Sequence, residues 1–231
     1  MAGIPRRDNP WASGTFLGSL PPEVAHALVH NSVRRTVPAG RTLLREGSRG
    51  SHVLLLLDGF VKVFTAVEGV ETLLGIRLPG EVVGEIGALT GEPRSATVSA
   101  CGPLTVGQLG SGDFAAFLSR RPDAAALITA AVARQLRWAN RRRADFAAFP
   151  AHIRLARLLS EIAEVCGRER PDGSVELLVP LSQPDLAAMI AIAQATVQKA
   201  LHELRDAGLI STGYRRLLIT DPAELRLAAE P

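Results

Sequence analysis

Cysteine, lysine and long apolar runs are all scarce in this chain of 231 residues. The two cysteines, Cys101 and Cys166, are too few and too far apart to ligate zinc or an iron–sulfur cluster, and they suggest no disulfide framework. Lys62 and Lys199 are the only lysines, so nearly all the positive charge is arginine. No apolar run approaches the roughly 18 residues needed to span a bilayer, and the N-terminus lacks the pattern of a signal peptide. A soluble, cytoplasmic protein is the expectation. No nucleophile–base–acid set, metal cluster or Walker-type loop is visible, so an enzyme is not expected.

What is present is a chain that is 47% apolar, long enough for two modest domains. The net charge of +3 is unevenly divided. Residues 1–150 carry 17 Lys+Arg against 12 Asp+Glu, and residues 151–231 carry 9 against 11. Any DNA contact by the C-terminal part must therefore use a local basic face rather than bulk charge.

Residues 1–16 show no periodicity and read as a flexible arm. Pro21 and Pro22 then introduce a short amphipathic helix ending near His30. His26 and His30 stand four residues apart, but without an acidic or cysteine partner they read as a plain helical surface. Between residues 33 and 110, short apolar segments alternate with Gly40, Gly47, Gly59, Gly69, Gly80 and Gly102. That spacing predicts short strands joined by tight turns, as in a β-sandwich or a β-roll.

Within this region, Gly84-Glu85-Ile86-Gly87 leads to Pro93-Arg94-Ser95-Ala96. Arg94 offers a planar fork of donors for phosphate oxygens, and Ser95 adds a hydroxyl. Gly84 lets backbone approach a ligand closely. Glu85 is unsuited to a phosphate and points instead to a sugar hydroxyl. The plainer alternative is a surface turn closed by a Glu85–Arg94 ion pair.

A long helix is predicted from Asp113 to Ala148, broken near Pro122. Ile128, Val132, Leu136, Ala139, Arg143 and Phe146 repeat at three- and four-residue spacing, a seam suited to pairing with a second copy. Arg141-Arg142-Arg143 reads as a solvated charge run, or as a group able to reach a phosphate or the second domain. Phe149-Pro150 ends the helix and marks a domain boundary. Beyond it, Ser182 to Ile190 and Gln194 to Leu204 read as two short helices joined by a tight turn, Ser182 capping the first. A Gly208-Leu209-Ile210 hairpin with Tyr214-Arg215-Arg216 follows. The whole reads as a winged helix-turn-helix.

The Gly84–Thr97 segment resembles the phosphate-binding cassette of the cyclic-AMP receptor (Crp/Fnr) family of bacterial transcription regulators. The likeness runs from about Leu17 to Thr220, with the parts in the family's order, though the cysteine cluster of its iron–sulfur oxygen sensors is missing. It implies an α+β fold: a flexible arm at 1–16, a cyclic-nucleotide-binding β-roll at 17–112, a dimerisation helix and hinge at 113–149, and a winged helix-turn-helix at 150–231. It also implies a cyclic-nucleotide-responsive homodimer that binds double-stranded DNA in the major groove and works with RNA polymerase. The alternative is a nucleotide-binding co-regulator whose helix-turn-helix contacts protein or binds DNA weakly.

By the same resemblance, Arg94 and Ser95 would hold the cyclic phosphate and Glu85 the ribose, with Gly84, Ile86 and Ala96 completing the cradle. Ala139 and Asn140 would face the base. Cyclic AMP is the expected ligand, with cyclic GMP or another nucleotide behind it. Gln194, Ala195, Gln198 and Lys199 would face base edges, with Thr196 near a phosphate, and Ser182, Gln183, Arg215 and Arg216 would contact phosphates. The family's recognition helix begins Ser-Arg-Glu-Thr-Val, whereas this chain has Ala193-Gln194-Ala195-Thr196-Val197. Ala191 replaces the family's turn glycine, an exchange that costs about 1 kcal/mol if that residue takes positive φ.

Overall fold

Glycine-bounded apolar segments become eight strands of the N-terminal region in a computed structural model that describes residues 9–67, 70–213 and 216–230. The chain packs as two compact units. One holds residues up to 65 together with 76–136; the other holds 66–75 together with the residues from 137 onward.

In the first unit, α1 (Phe16–Ser19) and α2 (Pro22–His30) precede β1 (Val33–Val37), β2 (Thr42–Leu44), β3 (His52–Asp58) and β4 (Val61–Val67). Then come β5 (Val70–Arg77), β6 (Val82–Val83), α3 (Glu85–Thr90), β7 (Thr97–Ala100), β8 (Leu104–Gly110), α4 (Ser111–Arg120) and α5 (Pro122–Ala148). β4, β5 and α5 each run across the division between the units. Two four-stranded sheets form, in the orders β1-β8-β3-β6 and β2-β7-β4-β5. β3 is apolar along most of its length because both of its faces are covered. Leu54 and Leu56 enter the roll interior with Val63, Val83, Val98 and Val106. Val53 and Leu55 face the opposite way, packing with Leu17, Leu28, Phe114 and Ile128 from the helices.

Two expectations change here. Residues 9–16, read as part of a flexible arm, are tied down. The Trp11 indole donates to the Leu57 carbonyl at 3.1 Å, Phe16 is buried, and its ring meets Phe114 edge-on at 6.1 Å. A buried indole N–H needs an acceptor, and the chain end supplies it by lying on the roll. Ile128, expected on the dimer seam, is buried in its own unit's core.

The second unit contains α6 (Ala151–Cys166), β9 (Gly167–Glu169), β10 (Val175–Leu177), α7 (Gln183–Ile190), α8 (Gln194–Asp206), β11 (Ile210–Gly213), β12 (Arg216–Ile219) and α9 (Pro222–Leu227). Its sheet runs β11-β12-β10-β9. α6 buries Leu155, Leu158, Leu159 and Ile162 along one side, the stripe expected of a helix covering a small core. The residues of α5 from 137 onward belong to this unit as well.

Candidate functional site

β6 delivers the chain to Gly84, which adopts φ 84° and ψ 5° and starts α3. Two constraints fix glycine there. The φ is left-handed, and a Cβ would lie 2.7 Å from Arg94 Nη1 and 2.9 Å from Leu44 Cδ1. The sequence suggested only a loop here. A six-residue helix flanked by glycines has too few positions to show a period.

Arg94 is anchored through its backbone. Its N–H donates to the Ser48 carbonyl at 2.9 Å, and its own carbonyl accepts from Gly47 N–H at 2.8 Å. Its side chain, 4% exposed, donates from Nη1 to the Gly84 carbonyl at 2.6 Å and from Nη2 to the His52 carbonyl at 2.5 Å. Glu85 is 8% exposed. Among the described residues the two make no direct ion pair, so the surface-turn alternative loses its main bond. Burial raises the Glu85 carboxyl above the ordinary carboxylate value; its own backbone N–H and the Arg77 and Arg94 guanidiniums oppose the rise. Burial lowers Arg94, with Glu85 opposing.

The cassette thus holds a cation and an anion that are both desolvated, make no direct ion pair, and offset only part of each other's burial. Two of the five N–H donors of the guanidinium are used on carbonyls, which fixes its plane. Ser95 is exposed, Ile86 is exposed at the start of α3, and Ala96 is buried in the roll. Gly84, Glu85, Ile86, Arg94, Ser95 and Ala96 are therefore brought together on one short stretch of the first unit. Ala139 and Asn140 are exposed on α5, in the second unit.

In the second unit, Ser182 caps α7 in a reciprocal capping box with Asp185. Its hydroxyl bonds the Asp185 carboxylate at 2.6 Å, so the side chain already has a structural task. Ala191 closes α7 at φ 51° and ψ 53°. It is the one non-glycine residue at positive φ among those described. Gln194, Ala195, Thr196, Gln198 and Lys199 are exposed on α8, while Val197, Ala200, Leu201 and Leu204 bury its other face. Gln183 is half-buried and Arg216 is exposed on β12; Arg215 lies outside the described residues.

Residues 34–121 match the cyclic nucleotide-binding domain family, and residues 153–228 match the Crp-like helix-turn-helix domain. This chain belongs to the Crp/Fnr family of transcription regulators. It is 26% identical over 214 residues to a CRP-like cAMP-activated global transcriptional regulator of Mycobacterium tuberculosis, covering 92% of this chain and 95% of that one. It is 29% identical over 215 residues to a cyclic AMP receptor protein of Thermus thermophilus, covering 92% and 95%. Among solved structures it resembles FixK2 of Bradyrhizobium japonicum, with a TM-score of 0.76 at 18% identity over 87% of this chain and 98% of that one. A CRP-family regulator from Thermus thermophilus gives 0.69 at 27% identity over 84% and 96%.

The cassette and the helix-turn-helix belong to different units of this chain. One feature of this member was hidden in its sequence. Of Arg141, Arg142 and Arg143, only the middle residue is buried, at 3% exposure. Its Nη2 donates to Glu161 on α6 at 2.8 Å, and its guanidinium lies 4.9 Å from the centre of the Trp138 ring. The Trp138 indole donates to the same carboxylate oxygen at 2.9 Å. Nearby, Arg157 of α6 pairs with buried Asp145 at 3.0 Å and lies 4.0 Å over Phe149. The arginine run therefore splits: two exposed cations and one structural one. Helical phase could have indicated that one of the three faces inward, but not which partner it meets.

Proposed function

We propose that this protein is a cyclic-nucleotide-responsive homodimeric regulator that binds double-stranded DNA through α8. The observation that carries this reading is the Gly84 cradle, in which Glu85 and Arg94 are buried without pairing to each other. Burying two such charges is costly unless a ligand supplies the missing partners. A cyclic phosphate would meet the Arg94 fork and the Ser95 hydroxyl, and a ribose hydroxyl would donate to Glu85. With Gly84, Ile86 and Ala96 around them, these residues fit a cyclic nucleotide. Cyclic AMP is the first ligand to test, because both full-length relatives named above carry it in their names. Cyclic GMP is the second, since alanine at 139 leaves only Asn140 with a polar group for a base edge.

Support for a dimer comes from α5, where Val132, Leu136 and Phe146 are 36%, 61% and 37% exposed at helical spacing. An apolar stripe of this kind is covered when two copies pair. Ligand binding would then favour one geometry of the pair and set the two α8 helices about one DNA turn apart. Gln194, Gln198 and Lys199 would read base edges, with Thr196 and Arg216 on phosphates. Ser182, whose hydroxyl and backbone N–H both bond Asp185, would contact a phosphate only by releasing that cap. The setting is the cytoplasm, with RNA polymerase as the downstream partner; among the described residues no helix is long and apolar enough to cross a membrane.

The exposed Glu203 and Asp206 on α8 favour a second reading, in which this helix binds DNA weakly or contacts protein. Calorimetry with cyclic AMP and cyclic GMP, on the wild type and Arg94→Ala, tests the nucleotide site. Undiminished affinity in the variant would reject it. A gel shift across a salt series on random DNA separates regulator from co-regulator.

A further inference from the structure

A polar cavity of about 520 Å³ that Arg94 helps to line lies between β2 and the turn leading into β3. Arg41, Arg45, Arg49, His52 and Arg94 line it together with Ser48, and among the described lining residues none is acidic. Arg41, Arg45 and Arg49 are exposed, and their guanidiniums form no hydrogen bond or ion pair among the described residues. Three unpaired arginines around one concavity repel each other, a cost that an anion would remove. His52 is held below its ordinary pKa by burial first, and then by Arg94 and Arg35.

We infer that this pocket is a phosphate site in its own right, taking a small di- or polyphosphate anion. Each guanidinium can hold two oxygens in a planar fork. Three such forks, with the Arg94 wall behind them, exceed what the oxygens of a single cyclic phosphodiester can satisfy. The backbone also leaves room. A Cβ on Gly50 would fall 2.8 Å from Arg94 Nη2, so glycine there keeps the Arg94 edge open to the cavity. The inference rests on the nucleotide reading only in sharing Arg94; Arg41, Arg45 and Arg49 take no part in that site.

The experiment is calorimetric titration of inorganic pyrophosphate into the full-length protein at low salt, beside the variant Arg41→Ala/Arg45→Ala/Arg49→Ala. The three side chains are exposed, so the variant should keep the wild-type melting temperature. Pyrophosphate should bind the wild type and weaken about tenfold or more in the variant, as expected for the loss of charge-assisted hydrogen bonds. Cyclic-nucleotide affinity should change far less, because the variant keeps Arg94, the one residue the two sites share. No pyrophosphate binding to the wild type, or equal binding to the variant, overturns the inference. If the wild type binds pyrophosphate but neither cyclic nucleotide, the reading of the Gly84 cassette fails and this one stands.

Discussion

Replacing Ala191 by glycine should make the winged-helix unit more stable. Ala191 holds φ 51° and ψ 53°, the left-handed conformation in which an L side chain crowds the following carbonyl. That crowding costs about 1–2 kcal/mol. Removing the Cβ relieves it, while the extra freedom of an unfolded glycine returns about 0.4–1 kcal/mol to the other side. Ala191 is exposed, so no packing is lost, and the bonds from Ala191 N–H and Ile192 N–H to the Ala187 carbonyl do not involve the side chain. The net gain should be about 0.5–1 kcal/mol, or roughly 2–8 °C in the melting temperature of a unit this size. Trp138 belongs to this unit, so fluorescence-detected urea unfolding reports on it once Trp11 is changed to Phe. Ala188→Gly, inside α7, is the control of opposite sign, costing about 0.5–1 kcal/mol. An Ala191→Gly midpoint equal to or below the parent would refute the strain argument.

Glu85→Gln should stabilise the unliganded protein and weaken nucleotide binding, since it removes a buried charge that the ligand needs. Because the folded carboxyl has its pKa raised, the penalty is absent below the unfolded value and grows as pH rises through the folded one. The variant's advantage in melting temperature should therefore widen with pH, and a constant offset would count against it. Glu161→Leu strands the buried Arg142 and should cost about 3–5 kcal/mol, with a change in Trp138 emission; unaltered urea unfolding would show that the pair is not structural. If α8 binds DNA, Lys199→Ala should lower the slope of log affinity against log salt by about 1. An unchanged slope would remove Lys199 from the interface.

Much of this architecture is written locally. Alternating apolar residues and glycine turns mark the strands, and Ser182 announces the start of α7. Ala191 could be singled out before any coordinates, because a tight turn between two helices needs a residue at positive φ and this chain offers no glycine there. The helix α3 escaped notice because six residues between two glycines show no period. The packing of residues 9–16 escaped because it depends on Leu57 and Phe114, far along the chain.

The sequence by itself determined the family, the order of the domains and the chemistry available to the cassette: an arginine, an acid, a hydroxyl and a glycine. It could not determine how those charges are spent. Glu85 and Arg94 stand nine residues apart and invite pairing, but Arg94 donates to the carbonyls of Gly84 and of His52, the latter 42 residues away. Likewise, three consecutive arginines are alike as text, and only the packing of α5 on α6 makes Arg142 structural while its neighbours stay in water. Propensity and turn chemistry act over a few residues and can be read in order along the chain. Charge pairing and desolvation depend on which distant groups the fold brings within about 3–4 Å, where the effective dielectric is low enough to matter.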